Sequence, residues 1–375
     1  MERTLRVCLV GYGFMGKAHS NALARIPMFF PELAPVSRGV LCGVGEAALR
    51  KAATQYGWEA CSEDVAAVFS RDDIDIVDIS ASTYAHTELA LLAAAHGKHV
   101  LCEKPLATNA ADARRMLAAV QRAGVCHQVG FNYRFAPAVQ LMKQLVEDGR
   151  LGRIDHFRGL YLQEWLSDAD APFSWRLTKE QAGSGALGDL GAHVVDLALW
   201  LLGDLRAVQA MQKRFVPERP RPEGGIGTVS VDDAFACLLD FSCGAMGTLE
   251  VSRNARGHHN GLTVEINGEQ GSLRFDFERM NELWFYDATR DRREVGWTNI
   301  LTMNEAHPYA TRWWPQGHAI GYEHTLVHAY AAFLHSIRRG DGCAPDFADG
   351  VRNAQVLDAI ARAAETGAPQ QVDSF

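Results

Sequence analysis

Residues 5–16 of the chain read LRVCLVGYGFMG. The first six residues form a compact, mainly apolar run that is typical of a buried strand. Gly11, Gly13 and Gly16 follow in G-x-G-x-x-G spacing, and a helix-like run begins at Lys17. A strand, a glycine loop and a helix in this order are the context that a dinucleotide-binding fingerprint requires. The glycines permit close approach of a pyrophosphate, and the helix N-terminus offers N–H groups to its phosphates.

Downstream of this loop, apolar strand-like runs alternate with helix-like runs. The strand-like runs are 39–44, 73–80, 99–102 and 125–129, and the helix-like runs are 46–56, 87–96 and a run from a Thr108 cap to Ala123. Repeated βα units of this length predict a doubly wound parallel sheet. In such sheets ligands bind outside the carboxyl ends of the strands. Lys104, just past the run 99–102, is therefore expected to face the cofactor crevice.

After residue 129 the pattern changes to apolar runs joined by short turns. The runs 154–163, 233–241, 245–252, 262–266 and 272–277 read as strands, and 138–147, 323–338 and 350–366 read as helices. Hairpin-like turns between these runs predict an antiparallel sheet in an α+β domain. The sequence thus predicts two domains, a dinucleotide-binding Rossmann domain over residues 1–128 and an α+β domain over residues 129–375.

The composition is that of an ordinary globular protein, with 375 residues, 47% hydrophobic and 22% charged residues and a net charge of −8. The sequence contains no basic run of the kind that binds nucleic acid. No uninterrupted apolar segment reaches the ~18 residues of a membrane span. The N-terminal apolar run is too short for a secretory signal and is interpreted as the first strand. Eight cysteines without a C-x-x-C pair fit a reducing compartment. We expect a cytoplasmic protein.

The end of the second predicted strand lacks the acid of a standard NAD site. An Asp or Glu about 20 residues past the glycines usually binds the ribose hydroxyls. Here residues 27–38 delay the strand, and its tip reads Cys42-Gly43-Val44-Gly45. Glu46 is the nearest acid, and Arg50 and Lys51 follow on the next helix. We expect NAD as the cofactor, with shallow discrimination against NADP.

A long apolar helix in the second domain carries an acid and a histidine one turn apart. Residues 182–203 read AGSGALGDLGAHVVDLALWLLG, in which Asp189, His193 and Asp196 share one face. The three side chains form a satisfied core or cap cluster, a metal pair, or a general acid/base pair. No H-E-x-x-H motif, Cys pair or further acidic cluster completes a metal ligand set. Histidine titrates near neutrality and can accept and return a proton.

Together these motifs resemble the glucose–fructose oxidoreductase, inositol dehydrogenase and MocA family. The matching stretches are GYGFMGKAH, VDISASTYAH, GKHVLCEKPLA, GFNYRF, GALGDLGAHVVDLALWLLG and CLLDFSCGAMGTLEVSR, starting at residues 11, 77, 97, 130, 185 and 237. The resemblance implies a Rossmann domain followed by an α+β domain on an open, mostly antiparallel sheet, with the substrate between them. It also implies an NAD(P)-dependent oxidoreductase that moves a hydride to or from a secondary hydroxyl.

The resemblance implies roles for individual residues. A catalytic lysine, aspartate and histidine fall on Lys104, Asp189 and His193. Lys104 is expected to bind the reacting hydroxyl, and the peptide before Pro105 is expected to be cis, a form tolerated mainly before proline. Cofactor contacts are implied for Gly11, Gly13, Phe14, Met15, Gly16, Gly43, Ser80, Ser82, His86, Glu103 and Lys104.

Three further stretches, FRGLYLQEWLSD, WRLTKEQAGSGALGDLGAH and WWPQGHAIGYEHTLVHA, resemble a branch of the family acting on pyranoses such as levoglucosan and related glycosides. They begin at residues 157, 175 and 313, and share features with inositol dehydrogenases. Aromatic rings suit the apolar face of a sugar, and polar groups fix its hydroxyls. The substrate is expected to contact Asn132, Gln163, Trp165, Arg176, Asp189, His193 and His324. Trp200 is expected in the core, and no metal site is expected.

Two function classes remain, a sugar or cyclitol dehydrogenase and a non-catalytic protein that senses nicotinamide or sugar on the same fold. The intact residues Lys104, Asp189 and His193 favour the enzyme. Relatives pair through the open face of the second sheet, and the runs 233–241 and 245–252 lack a clean polar alternation on that face. Because an exposed apolar sheet needs a cover, we expect a homodimer or homotetramer. Neither nucleic acid nor a membrane is expected as a partner.

Overall fold

The computed structural model describes residues 3–33 and 35–373, which form two compact units. Unit 1 contains the described residues up to Phe135 and the segment Gly321–Val351. Unit 2 contains Ala136–Ile320 and the described residues from Arg352 onwards.

Unit 1 is built on a six-stranded parallel sheet. Its strands are β1 (Leu5–Val10), β2 (Val36–Cys42), β3 (Ala60–Ser62), β4 (Ile76–Ile79), β5 (His99–Cys102) and β6 (His127–Val129), and its first helices are α1 (Phe14–Phe29), α2 (Glu46–Tyr56), α3 (Val65–Phe69), α4 (Thr83–Ala95) and α5 (Ala110–Ala123). The strand order is β3-β2-β1-β4-β5-β6. The order reverses between β1 and β4, which is the switch point where a doubly wound sheet binds its ligand. The predicted Rossmann fold is confirmed.

Three local features of unit 1 differ from the sequence-based expectation. The short strand β3 and the helix α3 were not predicted, because three and five residues are too few to show a period. Helix α5 is capped by Asn109 rather than Thr108, and the side-chain oxygen of Asn109 accepts the N–H of Asp112 at 2.9 Å. Since the helix begins at Ala110, only Asn109 lies at the position from which a side chain caps it.

Unit 2 is built on a nine-stranded open sheet. Its elements are α6 (Pro137–Glu147), β7 (Ile154–Leu162), α7 (Lys179–Ala182), α8 (Ala192–Leu202), β8 (Leu205–Lys213), β9 (Glu218–Pro220), β10 (Ile226–Thr228), β11 (Ala234–Phe241), β12 (Met246–Ser252), β13 (Gly261–Gly268), β14 (Gly271–Asp276), β15 (Glu282–Asp287), β16 (Trp297–Leu301) and β17 (Gln370–Gln371). The order is β16-β15-β14-β13-β7-β12-β11-β8-β17, and β9 and β10 form a separate hairpin. Neighbouring strands are antiparallel except β7 and β12, which are parallel. The predicted open, mostly antiparallel sheet is confirmed.

Helix α8 packs against β7 and forms part of the core of unit 2. The segment Lys179–Leu202 is long and apolar enough to span a membrane by length and composition alone, but 78% of its most apolar window is buried within the protein. It is therefore explained as a core segment. Trp200, expected in the core, is only partly buried, and the ammonium of Lys143 lies 5.6 Å from its ring centroid.

The last two helices are α9 (Tyr322–Arg339) and α10 (Phe347–Thr366). The sequence-based division at residue 128 assigned both to the second domain, whereas the structure groups 321–351 with unit 1. Helix α9 packs along α1, and the carbonyl of Pro345 accepts the N–H of Val129 at 2.9 Å. These contacts join sequence-distant segments, so the linear pattern does not reveal them.

A histidine lies buried in unit 1 between two carboxylates. His19 Nδ1 lies 2.8 Å from Asp78 Oδ2, and Nε2 lies 3.1 Å from Glu103 Oε1. Burial by itself lowers the pKa of His19, but the attraction of Asp78 and hydrogen bonds to both carboxylates outweigh it and raise the pKa to about 10. Tyr330 on α9 also donates to Asp78. The cluster therefore joins α1, the end of β4, the residue after β5, and α9.

Replacing this histidine should destabilise the protein in a pH-dependent way. Because the folded pKa of His19 is raised, its stabilising contribution is complete below the unfolded value of 6.5 and is lost as the pH rises through about 10. His19→Gln, which leaves two buried carboxylates without a cation, should lower the free energy of unfolding by about 3–5 kcal/mol at mildly acid pH. Urea unfolding across this pH window measures the difference between variant and wild type.

The difference in the free energy of unfolding between wild type and His19→Gln should shrink steadily towards pH 10. The exposed His96 offers a matched control, since His96→Gln should leave stability unchanged. A His19→Gln penalty that stays constant across the window would contradict the charged state of the cluster.

Candidate active site

The glycine loop of unit 1 has the geometry of a pyrophosphate site. Gly11 has a φ of +105°, and a Cβ there would lie 2.6 Å from the carbonyl oxygen of Ser80. A Cβ at Gly16 would lie 2.2 Å from the carbonyl oxygen of Gly11. At Gly13, directly before α1, an added Cβ would meet no atom within 4 Å. The loop is thus packed on one side and open at the helix N-terminus, which fits a bound NAD pyrophosphate.

Tyr322, at the start of α9, contacts Phe14 and Met15, two of the predicted cofactor contacts. The ring of Phe14 stacks on Tyr322 with centroids 6.1 Å apart, although the Phe14 residue is 70% exposed. The hydroxyl of Tyr322 donates to the sulfur of Met15 at 3.6 Å. Burial raises the pKa of Tyr322, so its hydroxyl stays protonated and remains a donor. The loop is therefore held by side chains as well as by backbone packing.

Three other predicted cofactor residues surround the end of β4. Ser80 follows the strand, and Ser82 is the N-cap residue of α4. The two ring nitrogens of His86 lie 3.1 Å from the carbonyl oxygens of Ala81 and Pro105. Burial lowers the pKa of His86, so the neutral ring donates to one of these carbonyls. The structure thus gives His86 a role in fixing the main chain, and direct cofactor contacts of these three residues stay a prediction.

Lys104 lies just past the carboxyl end of β5, as predicted, and its peptide bond to Pro105 is cis, as predicted. Glu103 is buried beneath this turn. One oxygen of Glu103 accepts from His19, and the other accepts the Lys104 N–H at 3.2 Å. The buried histidine cluster therefore anchors the backbone from which the predicted catalytic lysine projects.

Two predicted substrate residues, Asn132 and His324, are buried in unit 1. The amide of Asn132 donates to Thr325 Oγ1 at 2.8 Å. His324 Nδ1 accepts the N–H of Gly321 at 3.0 Å and so caps α9. Burial lowers the pKa of His324, and because Nδ1 accepts, Nε2 carries the proton of the neutral ring. Substrate contacts of both residues stay a prediction.

In unit 2 the predicted acid and histidine do not share one continuous α-helix. A π-helical turn, Leu187–Gly191, contains Asp189, and α8 begins at Ala192, one residue before His193. Single π-turns are often found at functional sites. The sequence shows the glycines that crowd this region, but it does not show the wider turn.

Asp232, which no sequence pattern singles out, holds the start of this segment. Its two carboxylate oxygens accept the N–H groups of Gly185 and Leu187 at 2.8 and 2.9 Å. A Cβ at Gly185 would lie 1.8 Å from the Asp232 carbonyl oxygen, so only glycine fits there. The carboxylate also lies at the positive end of the helix dipole, where negative charge is favoured. Asp189 and His193 are thus positioned by a residue about forty positions downstream.

Two predicted substrate residues of unit 2 form one network with a residue that was not predicted, Asn260. Asn260 Oδ1 accepts from the Tyr161 hydroxyl at 2.7 Å and from Gln163 Nε2 at 2.8 Å. Gln163 Oε1 accepts the indole N–H of Trp165 at 2.9 Å. The rings of Tyr161 and His193 lie 6.0 Å apart. Gln163 therefore orients Trp165, whose partly exposed ring suits the apolar face of a sugar.

Two arginines stack on aromatic rings of unit 2. The guanidinium of Arg176, a predicted substrate residue, lies 4.5 Å from the Trp175 ring centroid and is exposed. The buried Arg253 lies 5.6 Å from the Trp165 ring centroid and donates to the Asp232 carbonyl at 3.0 Å. Arg253 thus connects the helix-capping residue with the indole. Within residues 3–33 and 35–373, no group of three or more His, Cys, Asp or Glu side chains could hold a metal ion.

Two family models match the chain. Residues 5–131 match the oxidoreductase family with an NAD-binding Rossmann fold, and residues 139–274 match the GFO/IDH/MocA C-terminal domain. The chain therefore belongs to the Gfo/Idh/MocA family of oxidoreductases. The predicted enzyme class and the predicted cofactor, NAD, are confirmed.

Individual relatives are similar over most or all of the chain. Levoglucosan dehydrogenase of Pseudarthrobacter phenanthrenivorans is 41% identical over 377 residues, which are 96% of this chain and 96% of that protein. A solved levoglucosan dehydrogenase in complex with NADH and L-sorbose is 40% identical over 100% of both chains, with a TM-score of 0.97. Myo-inositol 2-dehydrogenase of Thermotoga maritima is 27% identical over 77% of this chain and 80% of that protein.

Removing the Asn260 side chain should weaken substrate binding. Asn260→Ala deletes the acceptor shared by Tyr161 and Gln163, and two lost hydrogen bonds of about 1 kcal/mol each should raise KM by about tenfold or more. Asn260→Asp keeps an acceptor oxygen and serves as the matched control, so its KM should stay close to wild type. Steady-state kinetics and NADH titration measure both effects. A raised NADH Kd, or an unchanged substrate KM in Asn260→Ala, would contradict this positioning role.

Proposed function

We propose that the protein is an NAD-dependent dehydrogenase acting on a secondary hydroxyl of a sugar, anhydrosugar, glycoside or cyclitol, with levoglucosan or a similar pyranose as the preferred class. The whole-length similarity to levoglucosan dehydrogenase carries this proposal. The Trp165–Gln163–Asn260–Tyr161 network, near His193, supports it because an oriented indole suits a pyranose ring. The structural neighbour solved with NADH and levoglucosan, at a TM-score of 0.96, adds support.

The three predicted catalytic residues have complementary chemistry. His193 takes the hydroxyl proton as general base, since neutral imidazole accepts a proton near pH 7. The ammonium of Lys104 stabilises the negative charge that develops on the hydroxyl oxygen. Asp189 orients its neighbours and balances their charge. A bound nicotinamide would supply the hydride acceptor, and the protein would contribute position and polarity.

The alternative of a non-catalytic sensing protein has less support. A sensor on this fold would need only the cofactor or the sugar site. Here Lys104, Asp189 and His193 are all present, and hydrogen bonds hold the backbone around Lys104 and the start of the segment that contains Asp189. The enzyme therefore remains the favoured interpretation.

A panel of levoglucosan, common pyranoses and myo-inositol tests the function. With NAD present, at least one member should produce reduced nicotinamide, which is followed by its absorbance. His193→Ala should lower kcat by about 10²-fold or more, the scale of a lost general base, with little change in NADH affinity. His96→Ala, at an exposed helix end, is the control and should keep wild-type turnover. Turnover of no panel member, or near-wild-type kcat in His193→Ala, would contradict the proposal.

We further propose a cytoplasmic homodimer or homotetramer that pairs through the outer face of the unit 2 sheet. Strands β8, β11 and β12 are neighbours, and their exposed residues include Met211, Leu238 and Met246. These exposed apolar side chains favour a protein cover. Light scattering at micromolar concentration should give at least twice the monomer mass, and Leu238→Glu should shift the mass towards the monomer. A monomeric wild type would contradict this proposal.

A further inference from the structure

Strand register places an acid beside the tip of β2, where the sequence shows none. β2 and β3 are parallel, and Cys42 pairs with Ser62. The next residues along the two strands, Gly43 and Glu63, are therefore neighbours at the carboxyl edge of the sheet. The Glu63 carboxylate accepts the N–H of Gly45 at 2.6 Å. This hydrogen bond holds the Glu63 charge against the tip.

The usual acid of an NAD site does not fit at position 43. A Cβ at Gly43 would lie 2.7 Å from ring carbons of Tyr12. The Tyr12 hydroxyl donates to the Val44 carbonyl at 2.6 Å, which fixes the ring over the tip. The Tyr12 ring thus fills the space that the side chain of an acid at position 43 would need.

The other acids around the tip are engaged elsewhere. Glu46 pairs with Arg50 at 2.7 Å across one turn of α2, and this pairing raises the pKa of Arg50. Asp64 accepts the N–H of Ala67 and caps α3. Lys51 is exposed on α2. Of these groups, Glu63 is the one whose charge is hydrogen-bonded to the tip itself.

From this arrangement we propose that Glu63 sets the preference for NAD over NADP. In a Rossmann site the end of the second strand faces the adenosine ribose, and a carboxylate there repels a 2′-phosphate. Glu63 supplies that negative charge from the neighbouring strand. The inference rests on the proposed function only in that the protein binds a nicotinamide cofactor. It predicts a sharper preference than the shallow discrimination expected from residues 42–51.

Direct binding of NADH and NADPH, without any sugar, tests the inference. Reduced-nicotinamide fluorescence gives both Kd values for wild type, Glu63→Gln and Glu46→Gln. Wild type should bind NADH more than tenfold tighter than NADPH. Glu63→Gln, which keeps an oxygen for the Gly45 N–H, should reduce that ratio by about tenfold, mainly by tightening NADPH. Glu46→Gln, whose charge is already paired with Arg50, should change the ratio by less than about twofold.

The origin of the effect is tested by salt. The NADPH gain of Glu63→Gln should shrink at 1 M KCl, where the Debye length falls to about 3 Å, whereas a purely structural effect would persist. An unchanged ratio in Glu63→Gln, an equal shift in Glu46→Gln, or a salt-independent gain would overturn the inference while leaving the dehydrogenase assignment intact. Failure of wild type to bind either cofactor would overturn both.

Discussion

The buried ion cluster of His19, Asp78 and Glu103 is the constraint on which unit 1 depends. Three elements of the cofactor side, namely the helix after the glycine loop, the end of β4 and the turn after β5, meet at one imidazole ring. A buried charge is costly unless it is paired and hydrogen-bonded. Here both ring nitrogens are engaged, and each carboxylate has a further donor, the Tyr330 hydroxyl or the Lys104 N–H. This buried cluster therefore fixes the positions of the glycine-loop helix, the end of β4 and the turn at Lys104.

Unit 2 uses a different constraint, a buried carboxylate at a helix start. Asp232 satisfies backbone donors that an α-helix leaves without intrahelical partners. Gly185 permits that approach, and Arg253 connects Asp232 with the indole of Trp165. Two buried side chains, Asp232 and Arg253, thus connect the segment that contains Asp189 and His193 with the Trp165 ring. Positioning of this kind is what catalysis by a bound cofactor requires of the protein.

Motifs that act within one short segment could be predicted from the sequence. The glycine loop, the turn at Lys104-Pro105, and the proximity of Asp189 to His193 along the chain all depend on residues close in sequence. Asn260 and Glu63 could not be predicted, because each acts between neighbouring strands whose register appears only in the folded sheet. Asp232 could not be predicted because it holds a helix start that lies far upstream in the chain. The grouping of 321–351 with unit 1 likewise depends on helix packing between distant segments. Trp200 shows that apolar character alone overestimates burial.

Deuterium transfer from a labelled sugar is a direct test of hydride transfer to NAD. The enzyme is incubated with NAD and levoglucosan deuterated at every carbon. The reduced cofactor is then isolated, and its mass is measured by mass spectrometry. One deuterium per reduced nicotinamide is expected, because the hydride passes from carbon to the cofactor and never exchanges with water. Reduced cofactor without deuterium would contradict direct hydride transfer, and the absence of reduced cofactor would contradict levoglucosan as the substrate.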